Sequence, residues 1–443
     1  MLSFSAAMSP RAPRLVLSRA SRLGWCRVCP CAVLACAVLA CDGRVWSGRD
    51  GGSFGPDAAT PLFDASPGSA DAGDGALGQA GHTGGVQDSS LSLRDARSDS
   101  QGLSDGRGPD VDIPILDGAA SAPIVIFLIG DGYGAAQIDA TRMFLNGDTQ
   151  PLSFEQLPRQ AWVTTDNASG GVTDSGASAT ALATGHKVEQ YVLSLAIPGD
   201  GQRRATALEI QAARGKRTGL VTTHTPITDA TPAAFGAHVV NRFDEPEVAR
   251  QLLNESRPNV LFGLTSANIT PTTAAAAGYT VVQSAAELAS LDRDAELYVS
   301  GQFTEDTVPP LKDMALAALD LLDASNDGFF LLVETEQPDS AGHVSNLEMV
   351  IQAGVEFEDM SKAVLAWAKG RTDTLVIVGA DHETGGLMLM ENDPMAGVVP
   401  AHSYTSGGAH TGTQVRYFAG GVGADAVSGE MDNTDFFPLL AGL

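Results

Sequence analysis

The stretch IVIFLI at residues 124–129 is an unbroken apolar run bounded by Pro123 and Gly130. Such a run is typical of a strand buried on both faces, as in a parallel sheet. Comparable runs follow at 219–222, 329–333 and 375–378, and helical patterns separate them at 205–214, 311–325 and 347–369. Alternating strands and helices predict an α/β fold, a three-layer sandwich with a largely parallel central sheet and helices on both faces.

Polar side chains follow each of these runs. Asp131 follows the first, the segment 224–231 the second, Glu334 and Asp339 the third, and Asp381-His382 the fourth. In open α/β sheets, ligands bind beyond the carboxyl ends of the strands. The four strand ends therefore predict a single site at that edge of the sheet.

Ser175 is a candidate nucleophile. It follows Asp174 at the start of the small-residue segment 175–181, which predicts a helix. A helix N-terminus favours an alkoxide or a phosphoryl oxygen, because its N–H groups and dipole are positive there. The alternative is that Asp174 or Ser175 only caps the helix. No Gly-x-Ser-x-Gly motif surrounds Ser175, which disfavours a hydrolase with a Ser-His-Asp triad.

Several other residues have the spacing of metal ligands. Asp339 and His343 stand one helical turn apart, so both can face one ion. Asp381-His382 offers two ligands from one turn, and His410 lies on the Gly-rich loop 407–412. Histidines with carboxylates suit zinc, whereas Asp131, Glu334 and a hydroxyl suit a harder cation such as magnesium.

These segments together resemble the successive motifs of the alkaline phosphatase family, in the family's order, between residues 124 and about 415. The motifs are IGDG at 129–132, TDSGASAT at 173–180, DATPAA at 229–234, Glu334-x4-Asp339-x3-His343, ADHETGG at 380–386 and AHTG at 409–412. The resemblance implies an alkaline-phosphatase-like sandwich. It also implies hydrolysis of small phosphate monoesters through a phosphoserine on Ser175, and it allows a homodimer.

The resemblance also implies a ligand set for two zinc ions and one magnesium ion. Asp339, His343 and His410 would hold the first zinc, and Asp131, Asp381 and His382 the second. Asp131 would also bridge to magnesium, which Thr231 and Glu334 complete. Arg242 would hold two phosphate oxygens as a bidentate fork. Asp174 and Asp229 would lie just outside these groups, with Asp229 ordering waters around the magnesium.

Two positions depart from the family's common pattern, and one histidine and one segment lie outside its motifs. Ser340, directly after Asp339, stands where a basic or aromatic residue is expected, and Pro338 before that ligand is unusual. His238 is interpreted as structural. The segment 251–310 is predicted to contain a lid or a substrate-contacting excursion.

Two other functions remain open at this stage. One is a phosphodiesterase of the same superfamily, although Glu334, Thr231 and Arg242 favour monoesters. The other is a catalytically silent, lipid-anchored protein that binds metal or phosphate at the cell surface. A formal net charge of −26 argues against nucleic acid as a partner, because neutralising its phosphates requires clustered Lys and Arg.

The N-terminal region predicts export. Residues 1–41 contain a cationic stretch and then an apolar run at 32–40, too short for a permanent membrane span. The run ends Val38-Leu39-Ala40-Cys41, which resembles a bacterial lipobox, and Cys36 has the same context. Residues 42–120, rich in Gly, Asp and Ser, predict a disordered linker before a catalytic domain at 121–443. We expect a periplasmic or outer-surface protein, anchored to the membrane only through lipid on Cys41.

Overall fold

The computed structural model describes residues 123–147, 149–293, 296–390 and 394–443. The predicted export signal at 1–41 and linker at 42–120 lie outside the described residues, so both stay predictions. The catalytic domain predicted from residue 121 is described from Pro123 onward.

The described residues form strands and helices that alternate through most of their length. The strands are β1 (Ile124–Gly130), β2 (Arg159–Thr164), β3 (Arg217–Pro226), β4 (Val260–Leu264), β5 (Thr280–Val282), β6 (Val299–Phe303), β7 (Phe329–Thr335), β8 (Thr374–Ala380), β9 (Glu383–Thr384), β10 (Leu387–Leu389), β11 (His402–Tyr404), β12 (His410–Thr411), β13 (Val415–Gly421) and β14 (Gly429–Asp432). The helices are α1 (Ala135–Asn146), α2 (Ser175–Thr184), α3 (Ala207–Ala213), α4 (Ala230–Gly236), α5 (Glu245–Asn254), α6 (Pro271–Ala276), α7 (Ala285–Ser290), α8 (Leu311–Asp323), α9 (Gln337–His343), α10 (Leu347–Ala368) and α11 (Phe437–Ala441).

The main sheet has the strand order β14-β2-β13-β8-β1-β7-β3-β4-β6-β5. Only β13 runs antiparallel to its neighbours, β2 and β8, among the described strand pairs of this sheet. Every residue of β1, β7 and β8 is buried, which explains their unbroken apolar sequences. The predicted largely parallel sheet is confirmed.

Helices cover the sheet in two groups. In the first, α10 packs against α1, α8 and α9, and in the second α2, α3, α4 and α11 pack on one another. Both groups also contact β3 and β7. The α/β sandwich predicted from the sequence is therefore confirmed. No helix within the described residues is both long and apolar enough to cross a bilayer.

The prediction of a lid within 251–310 is wrong. This segment contains β4, β5 and β6, which extend the main sheet beyond β3 with parallel pairing. Its strands are short and include Gly, Ser and Gln, so the apolar pattern that reveals a buried strand is weak there. All five residues of β6 are nevertheless buried.

Candidate active site

The predicted site residues meet at the carboxyl ends of β1, β7 and β8. Asp131 directly follows β1, and its N–H donates to the carbonyl of Thr335 at the end of β7. Gly132 N–H donates to Asp381 Oδ1 at 3.0 Å, which connects the end of β1 to the turn after β8. Since β1 pairs with β7 and β8 in parallel, their ends lie side by side at one edge.

Ser175 is the first residue of α2, and Asp174 is its N-cap. Asp174 accepts from the N–H groups of Gly176 at 3.1 Å and Ala177 at 3.4 Å, so the capping alternative is correct for Asp174. Because Asp174 caps the helix, the Ser175 hydroxyl is free to point into the site. Its Oγ lies 3.2 Å from His382 Nε2 and 3.5 Å from Asp131 Oδ1.

Asp339, His343 and His410 converge through their ligand atoms. His343 Nε2 lies 3.0 Å from Asp339 Oδ2, and His410 Nε2 lies 3.3 Å from both Asp339 Oδ1 and His343 Nε2. Ligand atoms bound at about 2.0–2.1 Å to a tetrahedral zinc are about 3.3 Å apart. The three residues therefore have the mutual spacing of ligands to one ion.

The orientation of these two imidazoles is set by backbone carbonyls. His343 Nδ1 donates to the carbonyl of Gly408 at 2.6 Å, and His410 Nδ1 donates to that of Thr173 at 2.9 Å. Because a carbonyl can only accept, Nδ1 carries the proton in both rings. Nε2 is therefore the nitrogen available to a metal.

Ser175, Asp131, Asp381 and His382 form a second cluster. His382 Nε2 is 3.5 Å from Asp131 Oδ1 and 3.2 Å from Asp381 Oδ2, in addition to its 3.2 Å contact with Ser175 Oγ. Asp381 Oδ2 is buried and has no hydrogen-bond partner. Each of these three distances from His382 Nε2 matches an edge of a tetrahedron around one ion, with the serine oxygen at one corner. The ligand atoms of Asp131 and His382 also lie within 4.8 Å of one of Asp339.

Thr231 and Glu334 lie beside this cluster. Thr231, in the first turn of α4, has a buried Oγ1 without a hydrogen-bond partner. Glu334 Oε2 accepts from Thr222 Oγ1 at 2.6 Å, and both residues belong to neighbouring strands of the main sheet. An unpartnered buried hydroxyl next to a buried carboxylate suits a hard cation.

Burial and mutual repulsion perturb the carboxylates of the site. Burial raises the pKa of Glu334 to about 8 and that of Asp381 to about 7, and it places the pKa of Asp131 well above its usual range. Burial also holds the pKa of His382 well below its ordinary value, so its ring is neutral. Buried carboxylates that repel one another and a neutral imidazole fit a site for divalent cations, which would stabilise the ionised carboxylates.

Arg242 connects two acidic residues at the mouth of the site. Its Nη1 donates to Asp174 Oδ2 at 3.0 Å, and its Nη2 donates to Asp229 Oδ1 at 3.2 Å. Asp229 also accepts from Thr225 Oγ1 at 2.7 Å and caps α4. The two carboxylates hold the guanidinium in place while leaving some of its five N–H donors for a ligand.

Sequence reasoning missed Glu336. Ser340 Oγ, at the position where a basic or aromatic residue was expected, donates to the Glu336 carboxylate. Burial raises the pKa of Glu336 to about 7, with Asp339 and Asp229 as the nearest repelling charges. The sequence did offer a signal for Glu336, because it is an acidic residue between the predicted ligands Glu334 and Asp339.

His238 is structural, as interpreted from the sequence. Its Nδ1 donates to the carbonyl of Ser194 at 2.8 Å, and its Nε2 lies 2.9 Å from Glu209 Oε1. Both ring nitrogens have partners within the core, so the side chain has no role in the candidate site.

A cavity of about 580 Å³ opens above Ser175. Arg242 and the three residues of the first cluster line it, together with residues of three loops that include Val172, Tyr191 and Phe243. The structure thus brings one hydroxyl, one arginine and the first group of potential metal ligands to this cavity, and Ser175 connects the cavity to the second group.

The family model described as alkaline phosphatase matches residues 122–279 and 279–407. The chain belongs to the alkaline phosphatase family. It is 34% identical to alkaline phosphatase 3 of Bacillus subtilis, over 59% of this chain and 61% of that protein. The chain therefore spans about three fifths of the length of that relative.

Two further relatives match over more of their own length. A streptomycin-6-phosphate phosphatase of Streptomyces griseus is 30% identical, over 72% of this chain and 90% of that protein. The crystal structure of a cold-active alkaline phosphatase from Shewanella sp. is 27% identical and superposes with a TM-score of 0.65, covering 72% of this chain and 98% of that one.

Proposed function

We propose that this chain hydrolyses phosphate monoesters through a phosphoserine on Ser175, with two zinc ions and one magnesium ion bound. The position of Ser175 Oγ carries the proposal, since it lies 3.2 Å from His382 Nε2 and 3.5 Å from Asp131 Oδ1 at the base of the cavity. This hydroxyl therefore lies next to potential metal ligands. A serine that only caps a helix would not need that position.

The donor chemistry supports a specific distribution of cations. Zinc fits the two clusters that contain histidine, which are Asp339, His343 and His410, and Asp131, Asp381 and His382. Magnesium fits the oxygen donors of Asp131, Thr231 and Glu334. Bound divalent cations supply positive charge that lowers the pKa of the serine hydroxyl and neutralises the oxygens around phosphorus.

The chain's own residues then bind the phosphoryl group and accept it. Ser175 Oγ loses its proton to water and forms a bond to phosphorus while the bond from phosphorus to the alcohol oxygen breaks, and the alcohol leaves after taking a proton from water. Water then attacks the phosphoserine, the bond from phosphorus to Oγ breaks, and inorganic phosphate leaves. Arg242, held by Asp174 and Asp229, donates to the phosphoryl oxygens through its remaining N–H groups.

The backbone at the start of α2 contributes less than the sequence suggested. The N–H groups of Gly176 and Ala177 already donate to Asp174, so they are not available to a phosphoryl oxygen. The helix dipole still favours negative charge at Ser175. Arg242 and the cations are therefore expected to provide most of the charge stabilisation.

The test compares hydrolysis of a chromogenic phosphate monoester and its diester before and after chelation, and after zinc and magnesium are returned. We expect faster monoester hydrolysis that is lost on chelation and restored by the metals. Ser175→Ala should lower kcat by about 1,000-fold or more. Ser290→Ala, an exposed serine at the end of α7, is the matched control.

Three outcomes would contradict the proposal. Faster diester hydrolysis would assign the chain to the phosphodiesterases, and full activity in Ser175→Ala would remove the phosphoserine. Absence of turnover with every phosphate ester, together with retained metal binding, would support the silent surface protein instead.

We also propose that the chain is exported and carries lipid on Cys41, with Cys36 as the alternative acceptor. The lipobox-like sequence before each cysteine supports this. Labelled palmitate is supplied to variants in which either Cys36 or Cys41 is replaced by serine, and the variant that loses the label identifies the lipid acceptor. Absence of label in the unmodified chain would contradict the anchor. The homodimer that the family resemblance allows is tested by sedimentation of the protein without its N-terminal 41 residues.

A further inference from the structure

Two exposed aromatic rings line the cavity above Ser175. Tyr191 is 44% exposed and Phe243 is 63% exposed, and both border the cavity that contains Ser175 and Arg242. Their ring centroids are 5.6 Å apart, with an angle of 43° between the planes. Neither ring belongs to the clusters that hold metal or to the arginine fork.

Both rings are attached to the catalytic groups through the backbone. Tyr191 N–H donates to Asp174 Oδ1 at 2.9 Å, and the Tyr191 carbonyl accepts from Arg242 N–H at 2.7 Å. Tyr191 adopts φ of 69°, a left-handed conformation that is costly for an aromatic residue. Phe243 directly follows Arg242 in the chain. The rings are therefore held at a set position relative to the nucleophile and the phosphate-binding arginine.

The cavity is larger than a phosphate group requires. At about 580 Å³, it falls within the range of pockets that bind small organic molecules. Beyond the charged groups, the large apolar residues in its wall are these two rings and Val172, which is 40% exposed, and Gln190 and Ala409 lie beside them. A planar apolar group bound there would cover aromatic surface that is otherwise in contact with water.

We propose that Tyr191 and Phe243 bind the organic part of the substrate and give the site a preference for phosphate monoesters with aromatic groups. This inference rests on the proposed monoesterase function. The two rings border the same cavity as Ser175. Their occupant is therefore the organic group of the bound ester rather than a second copy of the chain. Arg242, whose Cζ lies 5.3 Å from the centre of the Phe243 ring, connects the phosphate position to this wall.

The experiment uses two esters whose alcohols have similar acidity, 2-phenylethyl phosphate and ethyl phosphate. We expect kcat/KM to be about tenfold higher for the phenylethyl ester, and the ratio to fall below about threefold in Phe243→Ala and in Phe243→Ala/Tyr191→Ala. Met388→Ala is the control, because Met388 is similarly exposed at 57% but does not line this cavity. It should leave the ratio unchanged.

Binding of two phosphonates, benzylphosphonate and ethylphosphonate, gives a second readout without turnover. Calorimetry should show tighter binding of benzylphosphonate to the metal-loaded protein, and Phe243→Ala should remove the difference. An equal ratio for both esters in the unmodified protein would overturn this inference and leave the proposed function intact. Hydrolysis of neither ester, with normal phosphonate binding, would contradict the proposed function instead. A change of oligomeric mass in Phe243→Ala, with the ester ratio unchanged, would assign the rings to an interface and also overturn the inference.

Discussion

Arg242→Ala is expected to reduce phosphate-monoester hydrolysis strongly without unfolding the site. Only 16% of the Arg242 side chain is exposed, and it bridges Asp174 and Asp229. Asp174 keeps its contacts with the backbone N–H groups of α2 and of Tyr191 when the arginine is removed. Since the start of α2 is held by these contacts, Ser175 should stay in place.

The magnitude follows from the hydrogen bonds that the guanidinium can make to a phosphoryl group. Two bonds to a charged acceptor contribute about 1.5–3 kcal/mol each, or about 3–6 kcal/mol together. The same guanidinium already contacts two carboxylates, so part of this gain replaces existing interactions. A net loss of about 2–4 kcal/mol corresponds to about 30- to 700-fold in kcat/KM. Arg242→Lys keeps the charge but loses the fork, and about tenfold is expected.

The assay measures kcat/KM for a chromogenic monoester and the inhibition constant of inorganic phosphate, with the melting temperature as a check on folding. The control is Arg250→Ala on α5, because Arg250 also pairs with two carboxylates but its side chain is 49% exposed and far less enclosed. It should change kcat/KM by less than about twofold. A folded Arg242→Ala protein within threefold of the original kcat/KM, with unchanged phosphate inhibition, would refute the role assigned to Arg242.

Two further predictions concern the metal ligands. Gly408→Ala should weaken zinc binding by about tenfold or more, because its Cβ would lie 2.2 Å from the carbonyl oxygen of His343 and φ is +88°. Gly407→Ala is the control for backbone strain alone, because Gly407 has φ of +66° and open space around its Cβ. An equal loss of zinc affinity in both variants would contradict the steric explanation. Metal binding at pH 7 should release at least two protons, because the pKa values of Glu334 and His343 are raised to about 8 and about 9, the pKa of Asp131 is also raised, and each group must lose its proton to become a ligand. The metal affinity should therefore rise between pH 6 and 9. Calorimetry in two buffers with different ionisation enthalpies measures the number of protons released. A metal affinity independent of pH would contradict this prediction.

The four long apolar runs were predictable because a strand buried on both faces needs an unbroken apolar sequence. The run at 329–333, for example, became β7, with all its residues buried. The strands β4 and β6, near one end of the main sheet, were not predicted, because their sequences VLFGL and VSGQF are short and less apolar. Their burial comes from neighbouring strands and helices, which a local pattern does not report.

In the candidate site, too, local features were predictable from the sequence and features that depend on tertiary packing were not. Asp339 and His343 were predictable as partners because helical geometry places residues i and i+4 on one face. The pairing of Glu336 with Ser340 has the same i,i+4 spacing and was overlooked. The repulsion between Glu336 and Asp229 was not predictable, because it depends on how α9 and the segment before α4 approach each other. The aromatic wall was missed for a similar reason, since Tyr191 and Phe243 are brought together through a left-handed residue and the hydrogen bond from Arg242 N–H to the Tyr191 carbonyl.

The amino-acid order alone was enough to establish the fold class, the start of α2 at Ser175 and the identity of the acidic and histidine side chains at the strand ends. These features depend on burial, capping and strand direction, which act over a few residues. The tertiary structure decided the spacing of 3.0–3.5 Å among the ligand atoms, the use of Asp174 as both helix cap and partner of Arg242, and the wall above Ser175. The distances that join residues far apart in the chain, such as the 3.5 Å from His382 Nε2 to Asp131 Oδ1, exist only once the register of β1, β7 and β8 aligns the strand ends.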